Sequence, residues 1–284
     1  DALLSESVDP EDGGTIWSGI AKYVRSKGDV RSVEVWDIDS SSNGGSVQLL
    51  PGDVLLGQFE DRLSSAWKDS FARDPSAIDM MSAIYRSVQA TAVENDTDVV
   101  MFDVGPSVGS LNRAVLLSCD YFIVPVSCDL FSLRALRAVG ETIASWVSDW
   151  GVIVKNASGV QDITLLPGHP KFIGYLTQHF NIYKGRSTKA FEDWENKIAP
   201  RVTRDIVRRL SQVSQDLVHQ SNQHKLGEVP AFHSLAPQAQ SLGVPIGAMK
   251  GQPGVNHGNY QKIEEAEAMF DSLAKLIEKR TELN

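Results

Sequence analysis

The stretch Asp98–Ser107 reads DVVMFDVGPS, an apolar run that ends in the carboxylate of Asp103 and passes into a Gly105-Pro106-Ser107 turn. In open α/β sheets, ligands sit beyond the carboxyl ends of the strands. A carboxylate placed there can hold Mg2+ through water, and the turn would bring backbone close to a phosphate bound by the same ion. The plainer use of Asp103 is to cap the helix that follows, and this segment alone leaves both uses open. A second chemistry is electrostatic. Between Lys184 and Arg209 eight basic residues stand against four acidic ones, in a chain whose formal net charge is -9. Such a local inversion of sign can follow a nucleic-acid backbone, or be a solvated helix face laced with salt bridges. Cys119 and Cys128 are too few for a disulfide framework and read as two small buried residues flanking one strand. His179, His224, His233 and His257 lack metal-ligand spacing.

These groups need a scaffold. Ile16, Trp17, Ile20 and Tyr23 fall at helical spacing, and so do Leu55, Leu56, Phe59, Leu63 and Trp67 beyond a capping Asp53. A further helix is predicted over 76–94. From there strands at 98–103, 121–126 and 171–177 alternate with helices at 110–118 and 130–150, and 151–168 reads as irregular. A long helical stretch covers 187–220, a short strand 229–232 and an amphipathic helix 262–280. Strands separated by helices of this length imply βαβ units and a mostly parallel twisted α/β sheet with helices on both faces. No obvious linker interrupts the pattern, so one domain over 1–284 is expected. No apolar run approaches the roughly 20 residues needed to span a bilayer, which points away from a membrane role.

The order of motifs resembles the ParA/MinD-type (deviant Walker A) P-loop ATPase family. The residues that carry it are Pro51-Gly52 after an apolar strand, Asp103 with Gly105-Pro106-Ser107, the stretch DYFIVPVSCDLFSL from Asp120, and Val229-Pro230, Ser234-Leu235-Ala236, Gln240 and Val244-Pro245-Ile246. The similarity extends patchily over nearly the whole chain and is strongest from Pro51 to Ile143. Each piece is unspecific; their order and spacing together are fairly specific. The family's defining loop, Lys-Gly-Gly-x-Gly-Lys-Ser/Thr, is absent, and Gly185-Arg186-Ser187-Thr188 has no glycine cradle before it. Without that loop the phosphates have no nest of backbone N–H groups and no lysine. The expectation is that the first strand, loop and helix precede Asp1, and that these 284 residues bind ATP poorly alone. Gly105 stands where proline is common, which loosens the turn. Asp37-Ile38-Asp39 looks like the family's D-x-D segment in letters only and reads as a polar loop.

The resemblance implies an ATP hydrolase that uses ATP and Mg2+. Its protomers close face to face around nucleotide, and hydrolysis reopens them. Asp103 would be the Mg2+-linked carboxylate, and Gly105, Pro106 and Ser107 the switch turn. Asp129 would take a polar position at the nucleotide interface, and Pro230 would flank adenine. Many relatives bind DNA nonspecifically as dimers, which here would fall to Lys184, Arg186, Lys189, Arg201, Arg204 and Arg208. A ParB-like or other activating partner, DNA partitioning or cargo positioning, and a cytoplasmic, nucleoid-associated location follow from the same resemblance. Two other readings stay open: a noncatalytic ParA-like subunit of a larger assembly, such as a defence complex, and an electron-transfer relative. The latter fits poorly, because Cys119 and Cys128 flank one strand.

Overall fold

The computed structural model describes residues 13–38, 45–105, 107–180, 182–183, 186–187 and 189–281, apart from the side chains of 179–192. Contacts group the chain into two units, residues 1–120 with 145–170, and residues 121–144 with 171–284.

The first unit is mainly helical. It holds α1 (Ile16–Val24), α2 (Leu56–Ser70), α3 (Pro75–Met81), α4 (Ala83–Glu94) and α5 (Ser110–Ser118), with an antiparallel hairpin of β1 (Trp36–Ile38) and β2 (Val47–Leu49). Local chemistry sets several boundaries. Asp74 accepts from the Ser76 N–H at 2.9 Å, and Pro75 fills the first helical position, where a missing N–H is harmless. Asp53 accepts from the Leu55 N–H at 2.9 Å just ahead of α2. Trp17, Ile20, Phe59, Leu63, Ile78 and Met81 are buried. Trp67 stacks on Trp150 at 6.1 Å between ring centroids, and the Arg113 guanidinium lies 4.3 Å from the Trp67 ring.

Three expectations change here. The apolar run at 98–103 forms no strand, and Val99, Val100 and Met101 are exposed, the last by 84%. A strand needs a neighbour to satisfy its backbone N–H and C=O groups, and none pairs with this run among the described residues. The segment read as a loop from Asp37 begins inside β1, because Asp37 and Ile38 pair with Gln48 and Val47; Asp39 lies outside the described residues. The predicted helix over 76–94 is two helices broken at Ser82.

The second unit is built on a parallel sheet in the order β3 (Tyr121–Ser127), β4 (Lys171–Phe180), β7 (Lys225–Pro230). The parallel α/β expectation therefore holds for these strands. A separate two-residue pair, β5 (Ile182–Tyr183) and β6 (Arg186–Ser187), follows β4. The helices are α6 (Leu130–Asn156), which continues into the first unit, α7 (Lys189–Val202), α8 (Arg208–Val213), α9 (Leu235–Leu242) and α10 (Tyr260–Thr281). A π-helical turn, Thr203–Val207, joins α7 to α8. Helix α6 runs through Gly151, where irregular chain was predicted. A mid-helix glycine costs about 1 kcal/mol, less than the burial of Trp150 and Ile153 on the continued turns returns.

Phe172, Ile173, Ile198, Val202, Ile206 and Leu210 are buried in this unit. Helix α10 buries Ile263 and Ala266, while Phe270 is 42% exposed and meets the Phe232 ring. At Gly140, α6 meets the π-helical turn backbone to backbone, and a Cβ there would lie 1.8 Å from the Asp205 carbonyl oxygen. Gly140→Ala is therefore expected to destabilise the protein by about 2 kcal/mol: a clash of about 3 less about 1 of helix propensity. An unchanged midpoint in chemical denaturation would contradict this packing. Among the described residues no helix is long and apolar enough to cross a membrane.

Candidate functional site

Asp103 lies on the exposed chain just before α5. It does not cap that helix. Gly109 holds the N-cap position, and no side chain bonds to the cap. The carboxylate is thus left free for another partner. The turn after it is tied down from α5: the Asn112 amide donates to the carbonyls of Gly105 and Ser107, both at 2.7 Å. The Ser107 N–H also donates to the Gly105 carbonyl at 2.8 Å. Around Gly105 an added Cβ would meet nothing within 4 Å, so the turn faces open space. Gly109 is the reverse case, because a Cβ there would lie 1.9 Å from Glu60 Oε1, and that carboxylate occupies the place a larger residue would need. Pro106 lies outside the described residues. Sequence reasoning misses Asn112; the available signal is an amide side chain early in the helix after a Gly-Pro-Ser turn.

In the second unit, Asp129 follows the end of β3 and Pro230 ends β7. The strands are parallel, so both residues lie at the carboxyl edge of the sheet, with the Gln178–Phe180 end of β4 between them. Asp129 serves α6. It accepts from the Ser132 N–H at 2.8 Å and from the Ser132 hydroxyl at 3.0 Å. The Ser132 backbone bond, helped by the hydroxyl, holds the Asp129 carboxyl below the usual carboxylate range. Beside it Leu130 and Phe131 are exposed, Phe131 by 84%.

The basic stretch is also in the second unit. Lys184 lies outside the described residues, while Arg186 falls on β6 and Lys189 begins α7. Arg204 clasps the buried Asp205 with Nε at 2.7 Å and a terminal nitrogen at 2.8 Å, and Arg201 approaches it at 3.6 Å. The Arg204 hydrogen bonds, with the charges of Arg201 and Arg209, hold the Asp205 carboxyl low despite burial. Arg208 is exposed. Lys197 lies over the Trp194 ring at 4.8 Å. Cys119 and Cys128 are free thiols, and burial pushes Cys119 up to about 11, an unreactive state at neutral pH.

Three comparisons bear on this arrangement. A family model described as an AAA domain matches residues 32–155, a span that includes Asp103, its turn, Asn112 and Asp129. A 57-residue stretch is 40% identical to the cell division protein PomZ of Myxococcus xanthus (strain DK1622). That match covers 20% of this chain and 18% of the relative's length. The fold is similar to the crystal structure of protein DIP2308 from Corynebacterium diphtheriae, with a TM-score of 0.59 and 26% identity over 81% of this chain and 73% of that one. Residues 32–155, with the exposed Asp103 and its clamped turn, therefore match a model of the ParA/MinD-like P-loop ATPase family over somewhat less than half of the chain.

Proposed function

We propose that this chain is a ParA-like ATPase that works as an ATP-dependent dimerisation switch, in DNA partitioning or cargo positioning. The observation that carries the reading is the family match over residues 32–155, with an uncapped, exposed Asp103 and an open Gly105 turn inside it. These residues fit one side of a Mg2+–nucleotide site: a free carboxylate for an ion-bound water and a turn with room for a phosphate. The sequence shown supplies no Gly-Lys-Ser/Thr cradle for the other side. Bound ATP with its Mg2+ would supply the phosphoryl group and neutralise its charge.

The chain's own part is positioning. Asp103 would hold water bound to that ion. The Asn112 amide holds the Gly105 and Ser107 carbonyls, so a shift of the turn pulls on α5. Arg113, the next residue of α5, is packed over Trp67, which couples the turn to the interior of the first unit. Such a clamp suits a loop that must read the presence of a phosphate and pass the change on. Exposed Arg204 and Arg208 support the nonspecific DNA part of the reading.

The test is the oligomeric state of the complete gene product by light scattering. A dimer with ATP and Mg2+ and a monomer with ADP is the expected result. A state indifferent to nucleotide would sink the switch and favour a noncatalytic ParA-like subunit.

A further inference from the structure

Helix α6 and the α7–α8 segment of the second unit border an open cleft of about 590 Å3. Its lining includes Arg137, Arg201, Arg204, Arg208 and Arg209, with Asp205 as the carboxylate among them. Arg137 comes from α6 and the others from α7, the π-helical turn and α8, so the guanidinium groups converge from two sides. The cleft is held in shape from below. Gly140 admits the Asp205 carbonyl against α6, and the buried Asp205 carboxylate fixes Arg204 through two hydrogen bonds. A π-helical turn breaks the regular ladder at this point, a feature that recurs at functional sites.

The internal neutralisation is incomplete. Asp205 answers Arg201 and Arg204, and Glu141 pairs with both Arg137 at 3.0 Å and Arg209 at 2.6 Å. Two carboxylates thus serve four arginines, and Arg208 carries no ion pair among the described residues. The Nε of Arg209 is buried with no hydrogen-bond partner.

We propose that this cleft is a binding site for a compact oligophosphate, a small anion with several adjacent phosphates. Guanidinium forks match phosphate oxygens in pairs, and a concave wall with more cations than carboxylates attracts a small anion. The remaining chain is acidic, which opposes a long polyanion but is little felt by a short one held inside the cleft. A duplex can touch the exposed Arg204 and Arg208, whereas a small anion can also lie against the less exposed Arg209. Asp103 takes no part in this site, which therefore stands or falls apart from the ATPase reading.

The experiment is calorimetric titration of the protein with inorganic tripolyphosphate at physiological salt. Saturable binding is expected, weakened at least fivefold by Arg137→Gln and by Arg209→Gln. Glu141→Gln should tighten it about threefold, because the anion then no longer competes with that carboxylate for Arg137 and Arg209. Damage to the fold would not produce a tightening. No saturable heat, equal binding by parent and arginine variants, or weakening by Glu141→Gln would overturn the site. Duplex binding without tripolyphosphate binding would overturn it too, while leaving the DNA reading standing.

Discussion

Asp103→Ala in the complete gene product is expected to cut ATP turnover by at least about 100-fold, the scale on which losing one preorganised charge at a reacting group acts. Folding should be nearly untouched, with a change within about 0.5 kcal/mol, as for exposed positions that hold no cap or network. The structure supports that separation. The carboxylate is exposed, α5 is capped by Gly109, and no hydrogen bond ties Asp103 to the helix it precedes. Asp103→Asn keeps the shape and removes the charge, so it should lose most of the turnover as well. Steady-state hydrolysis beside a thermal melt separates the two effects. Hydrolysis near the parent rate in a folded Asp103→Ala protein would remove Asp103 from the chemistry and leave its turn without a purpose.

Changing Arg201, Arg204 and Arg208 together to Glu is expected to abolish duplex binding at moderate salt and to lower the salt slope by about three, about one for each phosphate left without its arginine. Arg201 and Arg204 also hold Asp205, and new carboxylates beside that buried group would disturb the turn. Arg208→Glu alone avoids the difficulty, since Arg208 carries no ion pair among the described residues. Its slope should fall by about one, with no change in stability. Anisotropy with a labelled duplex, with ATP present, reads both. A parent that binds no duplex, or a slope that Arg208→Glu does not move, would remove DNA from the proposed function and leave the family assignment intact.

Much of the framework could be read along the chain. Helix α5 begins and ends where the pattern at Ser110 and Ser118 places it, and β3 occupies the run from Tyr121. Asp74-Pro75-Ser76 shows why such boundaries are legible: the cap, the proline and the donor are neighbours in sequence. The Gly105-Pro106-Ser107 turn was visible for the same reason. The clamp on it was harder to see, because Asn112 acts through carbonyls five and seven residues away whose position depends on the turn.

What the sequence settled by itself was whatever depends on near neighbours: the alternation that yields a parallel sheet, the carboxylate followed by its turn, and the change of charge sign from Lys184 to Arg209. Tertiary structure alone decided what depends on partners far along the chain. Residues 98–103 have the apolar pattern of a strand, yet the pattern becomes a strand only when another strand meets its hydrogen-bonding groups. The basic stretch became a cleft because Arg137 joins it from α6, some sixty residues earlier, across an approach that the bare backbone of Gly140 allows. Charge and periodicity are properties of a segment, whereas strand pairing and close approach are properties of two segments at once.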